Sequence, residues 1–280
     1  MTIGRLYLVS TPIGNLDDIT LRALETLRTV DVVAAEDTRH TGKLLEHFNL
    51  RVRLVALHEH NESQASAGLV RELQQGRNIA LVSDAGTPLV SDPGYRLVQA
   101  AIEAGIEIVP VPGASAVMAA LAVAGLPLDR FCFEGFLPVK RAARTTRLES
   151  LRDESRTMVF FEAPRRVKDL VQDACAVFGD ERHVAIAREL TKVFEQVWRG
   201  NLGAALVQLD AGQIPAKGEF VVVVAGIPAP AARYDETVLM EHLLTALSPS
   251  AAAAVASRIT GSSKRHLYDI ALAIKTPDTE

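Results

Sequence analysis

A chain of 280 residues exceeds one average domain, so two domains and a tail are expected. Its hydrophobic content of 48% and mean hydropathy of +0.15 support a sizeable packed core, yet no apolar run approaches the roughly 20 residues that cross a bilayer. A net charge of −4 excludes a coat of basic charge, although a local footprint for nucleic acid stays open.

Taken in order, the first half alternates short aliphatic runs with amphipathic stretches of helix length. Strand Leu6–Ser10 precedes helix Leu21–Val30, and Val32–Ala35 precedes helix Thr38–Phe48. Val52–Leu57 leads to helix Glu62–Gln75, Ile79–Ser83 to helix Asp92–Ala104, and Ile106–Pro110 ends the series. That alternation implies βαβ units and a mostly parallel sheet. Pro110-Val-Pro-Gly113 breaks it, and helix Ala114–Ala124 opens a second unit. There, strand Phe131–Glu134, helix Arg141–Glu154, strand Met158–Phe161 and helix Arg166–Phe178 precede Val184–Arg188 and Phe194–Arg199. The short break between the last two predicts an antiparallel pair. Helix Leu202–Leu209 follows, and Glu219–Ala225 closes a mixed sheet. Ile227-Pro-Ala-Pro-Ala-Ala232 predicts a stiff linker. Beyond it come helix Glu236–Leu247, then Ser248 and Pro249 as the start of helix Ser250–Ile259. Gly261 is a stop, and Ser262 or Ser263 caps a last helix through Ile274, an arrangement like a helix-turn-helix. The expected domains are 1–113, an α/β domain with a parallel sheet, 114–226, a mixed α/β domain, and 227–280, a linker with a helical tail.

The chemistry concentrates where strands end. Ser83-Asp-Ala-Gly-Thr-Pro-Leu-Val-Ser-Asp-Pro-Gly94 leaves a buried strand at the carboxyl edge, where open α/β sheets bind ligands. Gly86 permits a positive φ and close backbone approach, while Asp84 and Asp92 offer carboxylates to hydroxyl or ammonium donors. Ser10-Thr-Pro-Ile-Gly-Asn15 has neither G-x-G-x-x-G nor G-x-x-x-x-G-K-S/T, which disfavours NAD and ATP. Ala34-Ala-Glu-Asp-Thr-Arg39 puts Glu36, Asp37 and Arg39 at the same edge, as proton acceptors and a phosphate contact or as a helix cap. His58-Glu-His-Asn-Glu62 fits no metal spacing and predicts a capped helix start, with Glu62 or Asn61 bordering the crevice. No metal is expected. Phe160-Phe-Glu-Ala-Pro-Arg-Arg166 and Ala187-Arg-Glu-Leu-Thr-Lys192 pair carboxylates with cations at strand ends of the second unit, which suggests an interdomain cleft. From Val139 to Lys168 nine Lys/Arg face four acids, a surplus of +5 that marks either a solvated helix face or an anionic partner. Cys132 and Cys175 stand apart and predict reduced core residues of a cytoplasmic protein. The early first strand leaves no room for a signal peptide.

Together, these segments resemble the tetrapyrrole-methylase-like, class III S-adenosylmethionine transferases. More closely, the chain is similar to the ribosomal RNA small subunit methyltransferase I family over essentially its whole length. The likeness rests on Leu8–Thr20, Ala35–Arg39, Leu57–Glu62, Ser83–Gly94, Val111–Ala116, Phe161–Arg166 and Arg188–Lys192. Tetrapyrrole-acting relatives would carry a more glycine-rich first loop, and Gly-Asp-Pro where this chain has Ala85-Gly-Thr-Pro88.

The resemblance implies two αβ domains with S-adenosylmethionine in the cleft between them, a homodimer, and 2′-O-methylation of a cytidine in the decoding region of small-subunit (16S) ribosomal RNA, within the assembled subunit. The implied cofactor-binding residues are Pro12, Asp84, Ala85, Gly86, Pro88, Ser115, Ala116, Phe161, Glu162, Glu189 and Leu190. Glu36 or Asp37 would serve as base or orient a water. Arg39, Arg165 and Lys192 would hold phosphates, and Lys140, Arg141, Arg144, Arg166, Lys264 and Arg265 would complete the RNA contacts. A tetrapyrrole-precursor methyltransferase and a non-catalytic ribosome-assembly factor are the alternatives. The basic segment and helical tail count against the first, and paired acids beside an electrophile against the second.

Overall fold

The computed structural model describes residues 3–227 and 235–275, so most of the expected linker lies outside the described residues. The described residues up to Gly226 pack as one compact unit and those from Ile227 onward as another.

The first unit contains two sheets. β1 (Leu6–Val9), β2 (Val32–Ala35), β3 (Arg53–Ala56), β4 (Ile79–Val82) and β5 (Ile108–Val111) form one in the order β3-β2-β4-β1-β5. Every pairing in it is parallel, as the βαβ alternation predicts. β2 and β4 are buried throughout, which is why they read as unbroken apolar runs rather than alternating ones. α1 (Leu21–Thr29), α2 (Thr38–His47), α3 (Glu62–Gln74) and α4 (Tyr95–Glu103) supply two cores. One joins Leu69, Leu73 and Leu97 to the sheet, the other Ala23, Leu27 and Leu45. α4 starts three residues later than the sequence suggests. Gly94, at φ +124, turns the chain first, and the Glu62 Oε1 accepts from the N–H groups of Gly94 and Arg96 at 2.9 and 2.8 Å. The acid of the His58–Glu62 segment is thus an anchor for the next helix start.

In the second sheet, β6 (Phe131–Phe136), β7 (Thr157–Glu162), β8 (His183–Arg188), β9 (Gln196–Asn201) and β10 (Phe220–Val224) run in the order β6-β7-β10-β8-β9. β8 and β9 are the expected antiparallel pair. β10 does not close the sheet at an edge but lies at its centre, antiparallel to β7 and β8, because its Phe-Val-Val-Val-Val run is buried throughout and needs a neighbour on each side. Strand alternation divides the sheet between two layers. Met158, Phe160, Ile186 and Val222 face α6 (Arg141–Ser150), α7 (Val167–Phe178) and α8 (Leu202–Asp210). Val159, Ala185, Ala187, Val221 and Val223 pack with α5 (Ala116–Ala124) and with Ile13 from the loop after β1.

The second unit holds α9 (Glu236–Leu244), α10 (Pro249–Thr260) and α11 (Lys264–Lys275). Ala252, Ala253 and Ala256 let α10 approach Met240, Leu267 and Ala271 closely enough for three short helices to share a core. The Ser248 side chain caps α10, Gly261 ends it at φ +77, and the Ser263 Oγ accepts from the His266 N–H at 3.2 Å to start α11.

Candidate active site

Register assembles the site. Ala35 pairs with Val82 and β1 pairs with β4, so the loops after β1, β2 and β4 leave one edge side by side. Thr11 and Gly86 lock the first and last of these loops by exchanging both backbone hydrogen bonds, at 2.9 and 3.0 Å. Gly86, at φ +80, makes that approach with the Ile13 side chain at 3.3 Å and the Ala114 carbonyl at 3.8 Å from the place of its missing Cβ. Leu89 and Ser91 are also left-handed, at φ 75 and 68. Strain of this kind, of order 1–3 kcal/mol per residue, collects where a loop must hold one shape.

The facing wall comes from the second sheet. Phe220 pairs with both Glu162 and Arg188, which puts the ends of β7 and β8 beside the start of β10. Between the walls lies a cavity of about 440 Å³, within the roughly 300–1,000 Å³ of small-molecule sites. Ile13, Val117, Phe136, Phe161, Leu190 and Val221 make it largely apolar. The N-terminus of α5, at Ser115–Val117, opens into it and offers N–H groups to a carboxylate. Five carboxylates line it, from Glu36, Asp84, Asp92, Glu162 and Glu219, and among the described residues no basic side chain does. Such a cavity suits a ligand carrying positive charge beside an apolar group and opposes a polyphosphate.

Burial, then the Asp84 carboxylate, pushes Glu36 upward, although the Asp84 N–H hydrogen-bonds its charged form. Burial, then Glu36, pushes Asp92 from 3.8 to about 6. Glu162 is raised by burial despite the Ala163 N–H at 2.7 Å and the Arg166 guanidinium at 3.0 Å. Asp37 goes the other way. Its carboxylate caps α2 and takes the Arg39 guanidinium at 2.8 Å, which holds it far below the usual range.

Of the residues expected at the cofactor, Asp84, Ala85, Gly86, Ser115, Ala116, Phe161, Glu162 and Leu190 line this cavity. Pro12 lines a second cavity, of about 310 Å³, on the α2 side of the same loops. Pro88 is buried and lines neither. Nor does Glu189, whose carboxylate accepts the Lys192 Nζ and the Glu219 N–H, both at 2.9 Å. Glu36 faces the first cavity, whereas Asp37 and Arg39 do not; Arg39 is 88% exposed and paired with Asp37.

Two of the expected RNA contacts are corrected. Arg144 is 4% exposed and donates to Asp173 at 2.8 Å, and Arg166 is spent on Glu162 and the Leu137 carbonyl, so neither reaches an outside phosphate. Arg141 is exposed but shares Asp173, and Lys192 is held by Glu189 and Glu219. Lys140, Arg165, Lys264 and Arg265 are exposed. Much of the basic surplus disappears because Glu134, Asp173 and Asp210, all outside the counted stretch, pair with Arg147, Arg141, Arg144 and Lys168.

Ala187, the start of one of the quoted strand-end segments, lines the cavity, as do Phe136 and Val221, which were not singled out from sequence. Gly135, at φ +63 where the β6 register slips, was the available signal, since a glycine inside a strand marks a bulge that re-aims its neighbour. No group of residues fit to hold a metal occurs among the described residues.

A parallel sheet joined to a mixed one, with a cavity at their strand ends, defines a class. Residues 5–206 match the model of the Tetrapyrrole (Corrin/Porphyrin) Methylases, and residues 235–275 that of the RsmI C-terminal HTH domain. The methyltransferase CobJ shares the fold at a TM-score of 0.61 and 20% identity, over 80% of this chain and 95% of that one. So does uroporphyrin-III C-methyltransferase from Thermus thermophilus complexed with S-adenyl homocysteine, at 0.54 and 17%, over 79% and 97%. Ribosomal RNA small subunit methyltransferase I of Escherichia coli O157:H7 is 49% identical over 96% of this chain and 95% of its own. The protein of that name from Mesorhizobium japonicum is 50% identical over 98% and 94%. The chain belongs to the ribosomal RNA small subunit methyltransferase I family.

Proposed function

We propose that the chain transfers a methyl group from S-adenosylmethionine to small-subunit ribosomal RNA, with the ribose 2′-oxygen of a cytidine as acceptor. The observation that carries the donor half is the first cavity, which is acid-rich, free of basic lining among the described residues, and apolar on one side. Bound there, S-adenosylmethionine supplies an already activated methyl on a positively charged sulfur. The residues present fit it. The α5 N-terminus suits its carboxylate, Asp84 and Asp92 its ammonium and ribose hydroxyls, and Phe136 and Phe161 its base. The acceptor half rests on the family.

A ribose hydroxyl is a poor nucleophile, so the chain's task is alignment and proton removal. The loops locked at Thr11 and Gly86 do the first, and positioning supplies roughly 7–11 kcal/mol of such barriers. Glu36 does the second, since burial raises it towards the pH at which a base is effective. In this reading 1–113 and 114–226 wall the cofactor and 227–280 grips RNA, with Lys140, Arg165, Lys264 and Arg265 as exposed cations. It carries with it a cytoplasmic homodimer acting on the assembled subunit.

Labelled S-adenosylmethionine offered with small subunits, free ribosomal RNA and precorrins tests all of this. Label is expected in RNA as 2′-O-methylcytidine, with small subunits as the better substrate. Label in a precorrin would replace the RNA reading, and calorimetric cofactor binding without any transfer would leave a sensing factor.

A further inference from the structure

A donor and an acceptor need separate places that share one wall. The second cavity has that relation to the first, because Ile13, Asp84, Ala85 and Glu219 line both. Asp84 is fixed there by the Asp37 N–H, which donates to its Oδ1 at 3.0 Å. Opposite stands α2, with His40, Lys43 and Leu44 at spacings that put them on one face. Thr11, Thr41 and Ser83, all nearly buried, give the cavity a polar floor, and Leu16 and Leu44 give it an apolar side. Hydroxyl floor, apolar side and basic rim are complementary to a nucleotide's sugar, base and phosphate. The rim charge is available. Lys43 is exposed and forms no ion pair among the described residues, whereas Lys192 across the cavity is already held by two carboxylates. The first cavity, with five acids and, among the described residues, no basic lining, would repel the phosphate that this rim attracts.

We propose that the second cavity is the acceptor-nucleotide site, with the ribose towards Asp84 at the shared wall and the phosphate towards Lys43 and His40 of α2. This rests on the RNA-methyltransferase reading above. The test measures steady-state methylation of small subunits, the salt dependence of RNA binding, and calorimetric affinity for S-adenosylhomocysteine. Lys43→Ala is expected to raise KM for the subunit roughly tenfold, as loss of one charged contact does, and to flatten the salt slope by about 0.7. The kcat and the S-adenosylhomocysteine affinity should stay near wild type, and Lys43→Arg should recover KM. Leu16→Trp, which fills the cavity, should abolish RNA methylation with S-adenosylhomocysteine affinity retained. Wild-type KM and slope in Lys43→Ala would overturn the assignment, as would loss of S-adenosylhomocysteine affinity in Leu16→Trp, which would place the donor there instead. If the wild type methylates no RNA, the parent reading falls with it; if only the variants behave as wild type, this assignment falls alone.

Discussion

Glu36 and Asp37 leave β2 next to each other, and the chain puts them to different uses. Ala35 sits level with Val82 of β4, so Glu36 emerges beside the Ser83–Gly94 loop and turns into the cavity, while Asp37 turns back to cap α2 and hold Arg39. A base must be able to take a proton. Asp37 is held too acidic for that and Glu36 is raised, so Glu36→Gln is expected to slow single-turnover methylation by about 10²–10⁴-fold with S-adenosylhomocysteine affinity retained. Asp37→Ala should keep the chemistry and lower the melting temperature through the lost cap. Equal loss of rate in both would remove the distinction. Asp92 gives a pH signature. Its folded value near 6 lies above the ordinary 3.8, so its contribution to stability is full below about 3.8 and is lost as pH rises through 6. Asp92→Asn should therefore gain in melting temperature over wild type at pH 7.5 relative to pH 4, and a difference that does not change with pH would refute it. Sequence revealed that acids gather at this edge but not which one faces inward. That depends on the pairing of β2 with β4, between residues 47 positions apart at Asp37 and Asp84.

Elements decide which charges are free. Arg144 of α6 and Arg165 after β7 look alike in the sequence, each in a basic stretch without an adjacent acid. α7 delivers Asp173 to the first, 29 residues along the chain, and the pair is almost completely buried. Arg165 is left exposed. Patterns within an element were legible for this reason, and partners between elements were not. The 3.6- and 2-residue periods, the Ser248 cap and the Gly261 stop are local, whereas the α6–α7 ion pair, the central place of β10 and the left-handed Leu89 and Ser91 are products of packing. Removing one partner of a buried pair strands the other, at a cost of about 3–5 kcal/mol. Asp173→Ala is expected to lower unfolding free energy by that amount in denaturant titration, because Arg144 and Arg141 both lose their acceptor. Arg165→Ala should leave stability unchanged and weaken RNA binding. A stable Asp173→Ala protein would show that Arg144 finds another acceptor.

At the scale of the whole molecule, the proposed function requires a chain of net charge −4, with a cavity lined by acids, to approach RNA through restricted basic surfaces. In that reading the start of α11 in the second unit, with Lys264 and Arg265, is one. That unit has a core of its own in Met240, Ala252, Ala253, Ala256, Leu267 and Ala271, and α11 leaves Lys264, Arg265 and Tyr268 exposed. A unit with its own core can be removed without emptying the core of another. The residues that line the cavity all precede Gly226, so in the proposed reading cofactor binding and RNA grip are separable. Truncation after Ile227 is expected to keep S-adenosylhomocysteine affinity and the melting transition of the first unit while weakening binding to small subunits. Each lost phosphate contact should also reduce the salt slope, by about 0.7 on single-stranded RNA. The Lys264→Ala/Arg265→Ala variant in the full chain should reproduce part of that change without loss of the unit. RNA affinity unchanged in both would remove 227–280 from the binding surface and shift the grip to Lys43, Lys140 and Arg165, whose variants would then account for the whole salt dependence.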